Sequence, residues 1–192
     1  MSFNDRVIRF LTMLFISKKQ TEFFYDLTKV YFSYSYFDYW IHMSYNTDIS
    51  YHRLRNHYRF WRSQNTVEGK DEFFNGLEDL GLCKTVEDFW QIYLSLPIVG
   101  TNNASRYYLF KNNIEPTWEH EKNAQGGRVI VSINRKDLAP YLWEVLLLTT
   151  IGEQFDVGSE ICGVSVTIKR NTCTFMVWNK TATFEQAIHK IE

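Results

Sequence analysis

An aromatic ring beside a carboxylate is the most chemically specific feature of this 192-residue sequence. Trp118 is followed directly by Glu119, and the pair lies between Pro116 and a Gly-Gly-Arg run that ends at Arg128. A planar, positively charged purine can stack on the indole, because aromatic faces attract cations. The carboxylate can accept hydrogen bonds from the base edge, and a nearby basic residue suits phosphate. The segment Leu109–Arg128 therefore predicts a site for a cationic purine nucleotide.

Patterns typical of catalysis or metal binding are weak elsewhere. The five histidines are scattered, and no Ser-His-Asp, Cys-His or metal-ligand spacing emerges. Cys83, Cys162 and Cys173 form no CxxC pair, so we expect buried free thiols, and neither a disulfide framework nor a zinc site. A binding protein without cofactor is expected. The alternative is a carbohydrate- or nucleotide-processing enzyme that uses Trp118 as platform and Glu119 as acid, which substrate turnover would identify.

Charge and hydropathy limit the partners. The formal net charge is −1, which disfavours non-specific binding to long nucleic acid but allows a small pocket with local basic residues. Aromatic residues make up 17% of the chain, more than a plain core needs, so some rings are available for stacking. The apolar stretch from Val7 to Ile16 is too short to span a bilayer and contains Arg9. We expect a cytosolic protein with no membrane partner.

The elements that must position the site begin near residue 52, whereas residues 1–50 are rich in aromatic residues without a clear period. Capping-box spacing predicts helices from Thr85, with Asp88, and from Thr183, with Gln186, to the chain end. A third helix is predicted over Leu138–Ile151, with Asp137 as its cap and Gly152 as its stop. The predicted strands are Tyr58–Arg62, Arg106–Lys111, Gly127–Ile133, Ile161–Lys169 and Thr174–Asn179.

Several of these strands alternate polar and apolar residues, as in residues 165–168, Ser-Val-Thr-Ile. Such alternation is typical of an antiparallel sheet with one covered and one open face. The predicted fold class is therefore α+β: a curved antiparallel sheet with about three helices on its convex back and a pocket on its concave side.

From about Tyr51 to Glu192 the chain resembles eukaryotic translation initiation factor 4E, the mRNA cap-binding family. The matching stretches, in order, are TVEDFW (85–90), LFKNNIEPTWEHEKNAQGGR (109–128), IGEQFD (151–156), ICG (161–163) and the strand with Trp178. GEQFDVGSEICG and WNKTAT are closest to the 4E homologous protein branch, which is associated with translational repression. The resemblance implies a cap-binding domain over 51–192, short at its C-terminus, and an atypical extension over 1–50.

The family holds the 7-methylguanine of the cap between two aromatic rings. The resemblance implies that Trp118 is one ring and that Glu119 accepts hydrogen bonds from the base edge. The other ring falls on Phe73, seventeen residues before Trp90, with Phe74 as the alternative if the match slips by one residue. Phe73 is a weaker cation–π platform than tryptophan.

For the triphosphate, the resemblance implies contacts from Arg128 and Lys169. Lys169 stands where the initiation factor has an arginine, so a point charge replaces a bidentate fork. Thr174 stands where the factor has a further lysine. Both departures predict weaker cap binding than the initiation factor's.

The family's second surface binds helical peptides of 4E-binding or scaffold proteins, with a Tyr-x4-Leu-hydrophobic motif. The resemblance assigns His52, Val86, Trp90 and Leu148 to it. Glu144 replaces the family's usual leucine there, which disfavours the large scaffold more than repressor-type partners.

The implied function is binding of capped mRNA, through 7-methylguanosine triphosphate, and regulation of translation by a cytoplasmic monomer. The alternatives are a general initiation factor that engages a scaffold protein, or a truncated paralogue that keeps only partner binding.

Overall fold

The computed structural model describes residues 51–64, 76–101, 105–169 and 171–191. Six strands and three helices lie within these residues. The strands are β1 (Arg53–Gln64), β2 (Leu77–Thr85), β3 (Ser105–Lys111), β4 (Gly127–Ile133), β5 (Ile161–Ile168) and β6 (Cys173–Asn179). The helices are α1 (Val86–Ser95), α2 (Ala139–Ile151) and α3 (Glu185–Ile191).

The strands form one open, curved sheet in the order β2-β1-β3-β5-β6-β4. Every neighbouring pair is antiparallel. Helix α1 packs against β1 and β2, and α2 packs against β1 and β5. The predicted α+β class with an antiparallel sheet is confirmed, and the predicted strands all lie within or overlap observed ones.

The two faces of the sheet differ because successive side chains on a strand point to opposite sides. Phe60 stacks on Phe89 of α1 at 5.7 Å, and the Tyr58 hydroxyl donates to the carbonyl oxygen of Thr150 in α2 at 3.0 Å, so this face is covered by helices. The strand register groups the opposite side chains into a second set, which we call the aromatic face: Trp61, Tyr108, Phe110, Met176 and Trp178.

The expectation that one face is open is wrong at the centre of the sheet. Strand β5 is buried along its whole length, and Ser165 is only 2% exposed. At Ser165 the covering group is Trp178, whose indole donates through Nε1 to the Ser165 hydroxyl at 3.0 Å. A polar residue on the face opposite α1 and α2 is therefore buried but hydrogen-bonded, as buried hydroxyls usually are.

One of the two predicted capping boxes is present. The Thr85 hydroxyl accepts from the Asp88 backbone at 3.1 Å, and the Asp88 carboxylate accepts from the Thr85 backbone at 3.0 Å. The prediction at Thr183 is wrong, because α3 begins two residues later, at Glu185. The Thr183 carbonyl instead accepts from the Glu185 backbone at 3.1 Å, which forms a turn before the helix.

The predicted cap of α2 is also wrong. The residue at the N-cap is Leu138, which makes no side-chain cap, while Asp137 accepts two hydrogen bonds from Arg135 at 2.9 and 2.6 Å. The arginine fork satisfies the carboxylate and lowers the pKa of Asp137. At the other end, Gly152 ends the helix as predicted, and its backbone donates to the Leu148 carbonyl at 2.9 Å.

The three cysteines are buried thiols, as predicted. Burial raises the pKa of Cys83 to about 12 and that of Cys162 to about 11, because it disfavours the thiolate. In the described parts of the chain, no helix combines the length and apolar character needed to cross a bilayer.

Candidate cap-binding site

The loop between β3 and β4 carries Trp118 and is closed by a buried asparagine. Asn123 is 1% exposed, and its Nδ2 donates to the carbonyl oxygens of Glu115 at 2.9 Å and Thr117 at 2.6 Å. These two carbonyls flank Pro116, so one amide group holds the backbone immediately before Trp118. The position of the indole therefore depends on a residue five positions further along the chain.

Packing explains Gly126, the first glycine of the pair before Arg128. An ideal Cβ on Gly126 would lie 2.2 Å from the carbonyl oxygen of Asn179 and 3.1 Å from that of Asn123. No side chain fits at this distance, so only glycine lets the loop return against the end of β6. The Gly126 backbone also donates to the Asn123 carbonyl at 2.9 Å, which links this packing to the loop closure.

The indole of Trp118 in this loop packs directly against the indole of Trp178 in β6. The ring centroids of Trp118 and Trp178 lie 4.5 Å apart with planes 38° from each other. Trp178 is only 5% exposed and is braced by the edge of Phe110 at 5.4 Å, whereas Trp118 is 41% exposed. The contact therefore joins one buried indole, Trp178, to one accessible indole, Trp118. We call Trp118 and Trp178 together the tryptophan recess.

A planar cation already lies at this recess. The Arg128 Cζ atom is 4.5 Å from the ring centroid of Trp118 and 5.0 Å from that of Trp178. Its Nη1 lies 3.7 Å from the Met176 sulfur. Partial burial lowers the pKa of Arg128, yet the guanidinium stays charged, as arginine does in proteins. The contact distances are those of cation–π pairs.

Glu119 lies beside the recess with its side chain exposed. Among the described residues, none donates a hydrogen bond to its carboxylate. Both oxygens are therefore available to a ligand, and a carboxylate can accept two parallel N–H groups. Arg128 thus lies against Trp118, and Glu119 follows Trp118 in the chain, while their roles in binding a nucleotide stay predictions.

Lys169 lies outside this cluster, at the far end of β5. Its side chain is exposed, and its backbone N–H donates to the Thr172 carbonyl at 2.8 Å within the hairpin to β6. On the neighbouring strand β6, the Thr174 hydroxyl lies 3.0 Å from that of Ser132. The resemblance implies that the initiation factor has a lysine at the position of Thr174. Lys169 is thus the cation of this hairpin within the described residues, and it lies at a distance from the indoles.

Comparison with known proteins agrees with this architecture. A family model described as Eukaryotic initiation factor 4E matches residues 53–192. This chain belongs to the eukaryotic initiation factor 4E family. The translation initiation factor 4E of Dictyostelium discoideum is 34% identical over 142 residues, which are 73% of this chain and 57% of that protein. Factor 4E-3 of Caenorhabditis elegans is 35% identical over 143 residues, 70% of this chain and 56% of that protein. The chain thus spans a little over half the length of these two relatives.

Solved structures of the 4E family have the same fold. One is a complex of Ascaris suum eIF4E-3 with an m2,2,7G cap, with a TM-score of 0.68, 30% identity and coverage of 74% of this chain and 81% of that chain. Another is a complex of C. elegans eIF4E-3 with the 4E-binding protein Mextli and a cap analog. It has a TM-score of 0.68, 35% identity and coverage of 74% of this chain and 82% of that chain.

The predicted second ring of this 4E-family site, Phe73, lies outside the described residues, as does Phe74. Its role stays a prediction. On the aromatic face, the indole of Trp61 is half-buried, and its Nε1 has no hydrogen-bond partner within the described part of the chain. The sequence offered no signal for Trp61 or for the contact of Trp178 with Trp118, because both depend on which strands pair.

The surface assigned to partner peptides is assembled where β1 meets α1. The His52 carbonyl accepts from the Val86 backbone at 2.9 Å, and His52 Nδ1 lies 2.6 Å from a carboxylate oxygen of Glu87. Trp90, one turn after Val86, is half-buried and packs edge-on against Phe89 at 5.2 Å. Val86 and Trp90 thus share the same side of α1, as their spacing indicated.

The residues assigned to this surface on α2 are more deeply buried than their assignment suggests. Leu148 is 5% exposed, so its part in a docking surface is small, and its role stays a prediction. Glu144, noted where the family has a leucine, is 6% exposed and accepts from the Tyr93 hydroxyl at 3.2 Å. The carboxylate is therefore tied to α1 inside the protein.

Proposed function

We propose that this chain binds the 7-methylguanosine cap of mRNA and regulates translation, as a binding protein without catalytic activity. The observation that carries the proposal is the tryptophan recess, where a planar cation, the Arg128 guanidinium, already lies within 5.0 Å of both ring centroids. A relative of this chain has been solved with a cap and another with a cap analog.

We assign recognition of the base to the accessible indole of Trp118 and to the carboxylate of Glu119, to which no described residue donates a hydrogen bond. Methylation at N7 makes guanine a delocalised cation, so stacking on Trp118 gains a cation–π contribution that neutral guanine lacks. Each base–aromatic stack contributes about 1–3 kcal/mol. Glu119 accepts from N1–H and the 2-amino group, and we assign the opposite face of the base to Phe73.

The phosphates extend from the base toward basic side chains. Arg128 reaches them from β4 and Lys169 from the β5–β6 hairpin. Thr174 is uncharged and its hydroxyl is hydrogen-bonded to Ser132, so Lys169 is the one hairpin cation that we assign to this chain of phosphates. We therefore propose cap affinity below that of a protein with two hairpin cations.

A second proposed function is docking of a helical peptide on Val86 and Trp90, with His52 and Leu148 at its margins. C. elegans eIF4E-3 has been solved with the 4E-binding protein Mextli. Trp90 offers a half-buried indole, the type of anchor that dominates many interfaces.

We place the chain nearest the homologous-protein branch and propose that it represses translation. The buried, hydrogen-bonded Glu144 supports this, because it removes an apolar contact from the surface that a scaffold protein would use. Competition between scaffold-derived and repressor-derived peptides tests it. Tighter binding of the scaffold peptide would instead favour a general initiation factor.

The remaining parts of the proposal concern organisation. We propose that residues 51–192 are the cap-binding domain, that residues 1–50 are an extension outside it, and that the protein acts as a cytoplasmic monomer. Gel filtration of the full chain with light scattering tests the last point, and a dimer at micromolar concentration would contradict it.

A pair of matched tryptophan variants tests the two surfaces separately. Trp118→Ala is expected to abolish retention on immobilised 7-methyl-GTP while leaving binding of a Tyr-x4-Leu-hydrophobic peptide intact. Trp90→Ala is expected to do the reverse. Retention of Trp118→Ala on the resin would contradict the site assignment, and peptide binding by a native chain that never binds the resin would identify a paralogue with partner binding only.

A further inference from the structure

We propose that the Arg128 guanidinium is an internal stand-in for the methylated base, and that Arg128 thereby makes binding selective for phosphate-bearing ligands over the bare nucleoside. The inference rests on the proposed cap-binding function. It assigns Arg128 a second role, in the free protein, besides contact with phosphate.

The first observation is the position of the Arg128 guanidinium in the free protein. The guanidinium lies over Trp118 at 4.5 Å and over Trp178 at 5.0 Å, while the two ring centroids are themselves 4.5 Å apart. The three groups therefore form one compact cluster. A guanidinium is planar and delocalised and stacks on aromatic faces, which are the properties that a methylated guanine brings to the same indole.

The second observation is that Arg128 makes few polar contacts. Its polar contact within the described chain is the Met176 sulfur at 3.7 Å, which is a weak acceptor, and no described carboxylate lies within ion-pair distance. The side chain is therefore held mainly by the indoles. Arg128 is the second residue of the edge strand β4 and is exposed, so a rotamer change can carry the guanidinium away without moving the backbone.

Displacement has a different outcome for the two kinds of ligand. Any base that stacks on the recess face of Trp118 must first remove the guanidinium, and loses part of its binding free energy in doing so. A ligand with phosphates then gives the displaced guanidinium a bidentate acceptor. A nucleoside offers no such acceptor. Methylated and unmethylated bases pay the same free energy to displace the guanidinium. Preference for the methylated base therefore comes from the stacking contact and not from Arg128.

Calorimetric titration of the full chain with 7-methylguanosine and with 7-methyl-GTP tests this prediction. For Arg128→Gln we expect nucleoside affinity to rise about two- to fivefold, the factor equivalent to one exposed cation–π contact, while triphosphate affinity falls. Arg128→Lys keeps the charge and a cation–π partner but loses the planar stack, so we expect a smaller gain for the nucleoside and a smaller loss for the triphosphate. The matched control is Arg135→Gln, an exposed arginine paired with Asp137, which should leave both affinities unchanged.

A second measurement does not depend on nucleoside affinity. In arginine-detected NMR of the free chain, the Arg128 Nε–H signal should be shifted upfield by the indole ring currents relative to that of Arg135. Addition of 7-methyl-GTP should remove this shift.

Unchanged or weaker nucleoside binding by Arg128→Gln, or an Arg128 signal without a ring-current shift, would overturn the stand-in while leaving the proposed function intact. Failure of the native chain to bind either methylated probe would overturn the proposed function, and the inference would fall with it.

Discussion

Replacement of Asn123 by alanine should destabilise the protein and loosen the loop that holds Trp118. The amide donates to the Glu115 carbonyl at 2.9 Å and to the Thr117 carbonyl at 2.6 Å, and Thr117 is only 3% exposed. Loss of the first bond costs about 1 kcal/mol, because Glu115 is exposed and water can replace the donor. Loss of the second leaves a buried acceptor unsatisfied, at about 1–3 kcal/mol.

The free energy of unfolding should therefore fall by about 2–4 kcal/mol, and the melting midpoint by about 5–10 °C in a domain of this size. Affinity for 7-methyl-GTP should fall about tenfold or more, since each 1.4 kcal/mol needed to reorder the loop costs a factor of ten. Urea unfolding followed by circular dichroism, with titration of the same preparation, measures both quantities.

The exposed Asn113 in the same loop provides the matched control. Its Oδ1 accepts only a long, 3.3 Å hydrogen bond from Asn112, so Asn113→Ala should change stability by less than about 0.5 kcal/mol. Asn123→Asp keeps the shape but removes the donor, and should behave like the alanine variant. If Asn123→Ala matched the native chain in both stability and affinity, the account of how Trp118 is held would be wrong.

Three further perturbations test the packing, the phosphate contacts and the buried thiols. Gly126→Ala should lower the melting midpoint and weaken cap binding, because the added methyl would lie 2.2 Å from the Asn179 carbonyl oxygen; a native-like melting curve would contradict this. Thr174→Lys should strengthen 7-methyl-GTP binding about two- to fivefold at low salt and leave 7-methylguanosine binding unchanged, since it adds a cation beside the phosphates; equal gains for both ligands in calorimetry would refute it. As pH rises from 9.0 toward 12, the free energy of unfolding should fall. Burial raises the pKa of Cys83 from 9.0 to about 12 in the folded protein. In this pH range the folded state therefore retains the thiol proton, whereas the unfolded state releases it. Cys83→Ala should flatten that slope in alkaline urea titrations, and an unchanged slope would exclude this cause.

Local patterns predicted most of the fold. Thr85 and Asp88 form the capping box that their spacing indicated, because both groups needed for it lie within one turn. Asp137 and Thr183 were predicted to cap α2 and α3 from similar patterns, and both predictions are wrong. The Asp137 carboxylate binds the guanidinium of Arg135, two residues away, which is a stronger partner than the backbone at the helix end. Helix propensities do not predict which of these two partners the carboxylate binds.

The candidate site was predictable only where its members are adjacent in sequence or matched by resemblance. Trp118 and Glu119 are neighbours, and Arg128 follows the glycine pair. Trp178 joins the recess through the pairing of β5 with β6, and it covers Ser165 for the same reason. Asn123 closes the loop through its side-chain hydrogen bonds. It lies in a run of polar residues that looks exposed in the sequence, so this role could not be predicted. Such contacts depend on register and loop geometry and not on local composition.

The proposed function requires that the tryptophan recess and Glu119 select a positively charged, N7-methylated guanine. The most direct measurement is the ratio of the dissociation constants of GTP and 7-methyl-GTP for the native full chain, determined by calorimetry at the same salt concentration. The two ligands share their phosphates, so the ratio reports the effect of N7 methylation on binding of the base. We predict at least about tenfold tighter binding of the methylated nucleotide, within the range of a partly desolvated cation–π contact. Equal affinity for the two nucleotides would contradict the account.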